Sequence, residues 1–399
     1  MAVQLQCNNT SNPLCDEEGS GQLAVILIPS LLALSTAMVV SLILWSFLYK
    51  RSKCRETTAC AQSRTGQEAL SFSTVSGTLF PGQEALGSWE IPDHCVLEKV
   101  EFLRLGRYGP VCKGLLRRHG ISVAVLIKTL RDCSNQQEAK EFVALAHFYA
   151  TVCKHENLVQ ILYCQTQRVP MYMVLEAYSP GNLLHFLWSL RNEESGMLND
   201  LQPFSEKSVY FVARQIVSGL DYLLSEHRLI HGNVAARNIL IGPGLSVKVS
   251  GLDVAFETRQ RGKAVKQLAA KVPLKWQAPE RIMRRSMTDR SDVWSFGILL
   301  YELITLGSPP YPDLEPLDVF PQLQKAYRMK RPPDCGVPLY DLMKYCWMWN
   351  FKDRPVFSTV VKLLESYAYL AETKPLRAMD HMDVSEYEKK AGLSPLTSD

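Results

Sequence analysis

Charged side chains are missing from one long stretch of this 399-residue chain: none stands between Gly19 and Tyr49. A buried core helix is rarely free of charge over such a length. A secretory signal would carry basic residues before a short apolar core. Here Asp16, Glu17 and Glu18 precede the run, and Lys50, Arg51, Lys53 and Arg55 follow it. The apolar segment 23–49 exceeds the roughly 20 residues a helix needs to cross a bilayer, so the sequence predicts a single spanning helix. Basic residues stay on the cytoplasmic side, which predicts a single-pass plasma-membrane protein with residues 1–22 outside. Split at that helix, the net charge of +4 becomes −3 on the first 23 residues and +7 on the remainder. An outer segment of 22 residues is too short to bury a core, which excludes a ligand-binding head. The sequons at Asn8 and Asn9 would face the glycosylating side.

Other absences narrow the choice further. Basic and acidic residues nearly balance, 44 Lys and Arg against 40 Asp and Glu, which gives no nucleic-acid signature. The 11 cysteines show no metal-ligand spacing. Cys7 and Cys15 are placed to pair with each other or across a dimer, and the remaining cysteines are expected as thiols in a reducing compartment. Cys54, beside the predicted membrane helix, is a candidate for palmitoylation. A composition of 47% hydrophobic and 21% charged residues excludes a wholly disordered or collagen-like chain. Residues 50–95, rich in Ser, Thr, Gly and Gln, read as a flexible juxtamembrane linker. Residues 96–370 are dense in apolar side chains, and 371–399 form a polar tail expected to be disordered. Within the dense region, strand-like segments such as 96–105, 111–116, 122–130 and 171–176 come first. Helical periods at 136–153, 209–225, 292–305 and 339–347 dominate the rest. The expected architecture is α+β, a small β-rich lobe followed by a larger helical lobe.

Motifs then fix the family. Ala235-Ala236-Arg237-Asn238, Pro273-Leu274-Lys275-Trp276, Ala278-Pro279-Glu280, the run from Ser291 to Gly297, and Asp353-Arg354-Pro355 occur in this order. With them the chain resembles the protein kinases, and their tyrosine kinase branch, over residues 97–370. That resemblance implies a bilobal fold, ATP and Mg²⁺ as cofactors, and protein tyrosine as phosphate acceptor.

The resemblance also assigns roles residue by residue, and several roles fall on unsuited residues. Gly106, Gly109 and Val111 stand in the phosphate-covering loop, with Arg104 in place of its first glycine and Pro110 removing one backbone donor. Lys128 stands as the phosphate-binding lysine. Leu126 takes the small residue's place beneath the adenine, unless a strand bulge returns Ala124 to it. The helix glutamate that should pair with Lys128 falls on Leu145 or Ala146, with Glu141 one turn away. Leu175 is the gatekeeper, and Glu176-Ala177-Tyr178 is the hinge that would hold the base. Asn233 occupies the catalytic-base position, where a carboxylate is needed to take a proton. Arg237 and Asn238 are retained, the latter as a metal ligand. Gly251 replaces the Mg²⁺-binding aspartate, and Asp253 lies two residues late. Gly232 replaces the arginine that grips an activation-loop phosphate. Consistently, residues 254–280 contain no Tyr or Ser, and Thr258 is their one hydroxyl. Arg259, Arg261, Lys263, Lys266, Lys271 and Lys275 make that segment basic, either as a solvated loop or as a surface for an acidic partner or anionic lipid. Glu280–Arg354 and Asp292 are expected to keep their structural roles.

Two functions follow from this pattern. One is a pseudokinase scaffold that docks cytoplasmic signalling proteins, alone or as a homo- or heterodimer; the other is a weakly active tyrosine kinase. Tyr387, flanked by Glu386 and Glu388, reads either as a phosphorylation site captured by an arginine-lined pocket or as an exposed tyrosine without a role.

Overall fold

A computed structural model describes Met38, Ser41 and residues 86–132, 134–191, 203–261, 272–378 and 383–393. Its first lobe is a five-stranded antiparallel sheet. The strands are β1 (Val96–Leu105), β2 (Pro110–Arg118), β3 (Ile121–Thr129), β4 (Ile161–Gln165) and β5 (Tyr172–Glu176), in the order β1-β2-β3-β5-β4. Alternation sorts the faces of β3: Val125 and Ile127 are buried beneath the sheet, while Leu126 and Lys128 share the opposite side. One helix, α1 (Gln136–Val152), packs on this sheet. Its start is fixed by Asn135, whose side chain accepts from the Glu138 N–H at 2.8 Å.

The second lobe is helical. It contains a three-stranded ribbon, β6 (Gly181–Asn182), β7 (Ile239–Ile241) and β8 (Val247–Val249). Its helices are α2 (Leu183–Ser189), α3 (Glu206–His227), α4 (Asp253–Arg261), α5 (Pro279–Ile282), α6 (Asp289–Ile304), α7 (Val319–Gln324), α8 (Val337–Cys346), α9 (Phe357–Tyr367) and α10 (Val384–Ala391). Capping boxes start α3 at Ser205 with Ser208 and α6 at Thr288 with Ser291. From Ser291 to Ile304 every residue of α6 is buried, as expected of a helix packed on all sides. Its buried polar groups are used. Ser291 donates to Glu280 at 2.7 Å, and Ser295 donates to the Trp276 carbonyl at 2.7 Å. Asp292 accepts from the backbone of His231 and Gly232 at 2.7 and 2.8 Å, bracing the loop that follows α3.

The α+β, two-lobed expectation is met, but the membrane part of it is corrected. Among the described residues no helix is long and apolar enough to cross a membrane. The segment 23–49, except Met38 and Ser41, lies outside the described residues, as do Asn8, Asn9 and most of the linker. The expected single-pass, plasma-membrane placement therefore has no support in the structure.

Two boundaries also move. Residues 86–95 do not belong to a loose linker: Glu90 bridges Cys164, and the Ile91 N–H donates to the Cys164 carbonyl at 2.8 Å, because Leu86 and Trp89 have apolar surface to cover. The tail is ordered in part. The Leu376 N–H donates to the Phe204 carbonyl at 2.9 Å, and α10 places Tyr387 and Ala391 in the core.

Candidate active site

The cleft between β3, α1 and the loops after α3 and β8 gathers the residues singled out in the sequence. β2 and β3 pair without a register shift from Val111↔Lys128 to Arg118↔Ile121. No bulge restores Ala124, so Leu126 takes the place beneath the base, opposite the gatekeeper Leu175 in the β3–β5 ladder. Its bulk, half-buried against the main core, fills space that a smaller residue would leave open. At the hinge, the Glu176 carboxylate is occupied by the Gln160 N–H at 2.8 Å and by Lys248 Nζ at 2.9 Å. Tyr178 covers the same lysine, with Nζ 5.8 Å from its ring.

Lys128 has no carboxylate partner among the described residues. Its Nζ lies 5.5 Å from the ring of Tyr149, one helical turn beyond Leu145. Leu145 and Ala146, the candidates for the missing glutamate, are both buried in the apolar core. Glu141 turns to the glycine-rich loop instead, 3.9 Å from Arg107.

That loop is folded onto its surroundings. The Gly106 N–H donates to the Gly109 carbonyl at 2.8 Å, closing a turn. Gly109, at φ +154°, comes so near the strand end that an added Cβ would lie 2.5 Å from the Thr129 carbonyl oxygen. The Arg131 N–H donates to the Tyr108 carbonyl at 2.9 Å, and its guanidinium donates to the Arg107 carbonyl at 2.7 Å. Tyr108 is thereby turned inward, its ring edge-on to Phe142 of α1 at 5.8 Å. Burial pushes its hydroxyl up to about 12. Arg107 also bonds Glu257 of α4, so one guanidinium joins the loop, α1 and the segment after β8.

The catalytic loop follows α3. His231 is fully buried, and burial lowers its pKa to about 4. Its Nε2 is 2.8 Å from the Ser250 carbonyl, and Nδ1 accepts from the Asn233 N–H at 3.1 Å, a pattern only the neutral ring satisfies. Arg237 Nη2 donates to Asn233 Oδ1 at 2.8 Å. A guanidinium has no acceptor, so this bond fixes the amide and leaves its NH₂, another donor, where a base is required. Arg237 itself lies 4.4 Å over Trp276. Glu302 accepts from Trp276 Nε1 and from the Ala236 N–H, each at 3.0 Å, and burial raises its carboxyl to about 7.

The metal position does not fit Mg²⁺. Asn238 Nδ2 is engaged by the Asn233 carbonyl at 2.7 Å. Gly251, at φ +72°, lies so near that a Cβ would sit 2.6 Å from Asn238 Cγ. Asp253 is exposed at the start of α4. No cluster of three or more His, Cys, Asp or Glu suited to a metal occurs among the described residues. A hard octahedral ion needs more oxygen than one amide and one offset carboxylate present.

Gly232 has no room for its lost arginine. Its φ is +75°, and a Cβ would meet Val254 at 2.5 Å and Met287 at 2.9 Å. Arg281 donates to its carbonyl from the other side. Val111 is buried at the loop's base. Thus Asn233, Arg237, Asn238 and Gly251 come together; Lys128 is diverted; and Gly106 and Gly109 form a closed loop. Sequence reasoning missed α4, which the non-breaking run 253–261 permits, and missed Arg107, Tyr108 and Tyr149. The run 253–261 carries no apolar helical period, so nothing in its pattern announced a helix packed on α1 through Phe256 and Phe148. Arg107→Ala is expected to speed amide exchange across residues 106–111 by at least about tenfold; unchanged exchange would show that the loop is held without it.

Residues 97–364 match the protein tyrosine and serine/threonine kinase family. The chain belongs to that family, whose domains in general use ATP and Mg²⁺. It is 35% identical over 411 residues to tyrosine-protein kinase STYK1 of Mus musculus, covering 98% of this chain and 95% of that protein. STYK1 of Homo sapiens is 34% identical over 408 residues, with 98% and 96% covered. Tyrosine-protein kinase Abl of Drosophila melanogaster is 38% identical over 288 residues, which is 72% of this chain and 17% of that protein.

Proposed function

We propose that this chain is a pseudokinase: a tyrosine-kinase-family domain that works in signalling by docking protein partners and does not transfer phosphate. The observation that carries the reading is the Arg237–Asn233 bond of 2.8 Å, which turns the base position into a donor. Gly251 against Asn238, Lys128 against Tyr149, and the inward Tyr108 support it from three other sides of the cleft. General-base catalysis contributes about 10²–10⁴-fold, and its loss coincides here with a metal position lacking its carboxylate.

A second reading, a weakly active tyrosine kinase, is favoured by the retention of Lys128, Arg237 and Asn238 and by the names its relatives carry. Losses within one site are not additive. Purified chain given Mg-ATP and a tyrosine-containing polymer separates the two. The expected result is no phosphotransfer and no Mg-dependent rise in melting temperature with ATP. Transfer that Lys128→Met abolishes would establish the second reading instead.

A further inference from the structure

The tail helix α10 is amphipathic, and its apolar side is used. Tyr387 and Ala391, four residues apart, are 1% and 0% exposed, whereas Glu386, Glu388, Lys389 and Lys390 face solvent. The Tyr387 ring meets Trp188 of α2 edge-on at 4.8 Å, and Trp188 Nε1 donates to the Gly307 carbonyl at 3.0 Å. Gly392, at φ +67°, ends the helix against Pro316, where a Cβ would lie 2.5 Å from the proline ring. The helix thus lies in a groove between α2 and the segment after α6.

The catalytic loop is tied to the start of α2, where Asn182 Nδ2 donates to the Arg237 carbonyl at 2.6 Å. Among the described residues, the buried polar atoms without a hydrogen-bond partner include Tyr387 Oη, Arg237 Nη1 and Glu302 Oε1. Arg237 spends its other terminal nitrogen on Asn233. An eight-residue helix held by two buried side chains, one with an unpartnered hydroxyl, is drawn from the low-stability end of the structure.

We propose that α10 is a releasable plug in cis and that Tyr387 is a phosphorylation site, reached by another tyrosine kinase only while the helix is lifted from its groove. In that step the donor kinase's ATP gives up its γ-phosphoryl group. A bond forms from Tyr387 Oη to phosphorus, the β–γ bridging O–P bond breaks, ADP leaves, and the hydroxyl proton passes to the donor kinase's base. The product carries about −1.5 to −2 charges. It cannot return to the closed groove that holds the ring at 1% exposure against Trp188, so modification keeps the helix out. None of this depends on whether the chain itself transfers phosphate.

The test uses the full chain, an active purified tyrosine kinase, ATP, and site-resolved mass spectrometry. Ala391→Glu places a charge on the buried face of α10, away from the cleft residues. Tyr387 is expected to be modified at least about tenfold faster in that variant than in the parent chain. Equal rates would overturn the proposal. Hydrogen exchange on the parent chain alone gives an independent answer, should the variant fail to fold. Amides 384–391 are expected to be protected before phosphorylation and to lose protection after it; protection that persists on the phosphorylated chain would sink the idea.

Discussion

Arg354→Met is expected to lower the stability of the kinase-like domain by about 3–5 kcal/mol. The Arg354 side chain is 0% exposed, and its two terminal nitrogens each donate to Glu280 at 2.8 Å. Nε donates to the Met348 carbonyl at 2.8 Å, and Nη1 also reaches the Arg290 carbonyl at 2.8 Å. Together with Ser291, these bonds hold the Glu280 carboxyl below its ordinary range, although burial alone pushes it up. Methionine keeps the volume and removes every donor, leaving a buried carboxylate with one hydroxyl for company. Glu280→Gln on top of Arg354→Met removes the stranded charge and is expected to recover part of the loss. Urea or thermal unfolding of the parent chain and both variants measures each effect. A loss under about 1 kcal/mol in the single variant would show that the pair is not what ties α5 to the end of the helical lobe.

Phe142→Ala is expected to cost about 3–5 kcal/mol by the same measurements. Phe142 is completely buried on α1, and its ring supports the inward-turned Tyr108. Two consequences should therefore appear together: a cavity between α1 and the sheet, and a freed loop tip. Tyr108 fluorescence or amide exchange at 106–111 should change in this variant. A buried phenylalanine that only filled space, such as Phe296 in α6, would lower stability and leave the loop unaltered.

The lobes, their order and most elements were legible in the sequence because strand and helix periods there agree with the packing. The helix expected over 136–153 is found at Gln136–Val152, and the strand over 96–105 is found unchanged. The replacements at Asn233 and Gly251 were equally legible, since a missing carboxylate needs no coordinates to be noticed. What could not be read was the consequence of each replacement. That Asn233 presents its NH₂ follows from Arg237, four residues on, and only folding brings Arg237 to it. That Lys128 rests on Tyr149 depends on how α1 is rotated over β3. The tail misled for a simple reason. Its composition is polar, yet two apolar side chains spaced by one turn suffice to dock a short helix when a groove is waiting for them. The charge-free run 23–49 is the opposite case: its pattern is strong, and among the described residues no spanning helix answers to it.

The glycines of the cleft have one more consequence. At Gly232 the vacated room is taken by Val254 and Met287, and at Gly251 by Asn238. Both positions are closed by a neighbour at contact distance. An arginine at 232 or an aspartate at 251 would now meet an occupant, so neither substitution can be reversed singly without disturbing the packing around it. Arginine at 232 and aspartate at 251 are thus each coupled to the packing of a neighbour, and either side chain would need a second change beside it.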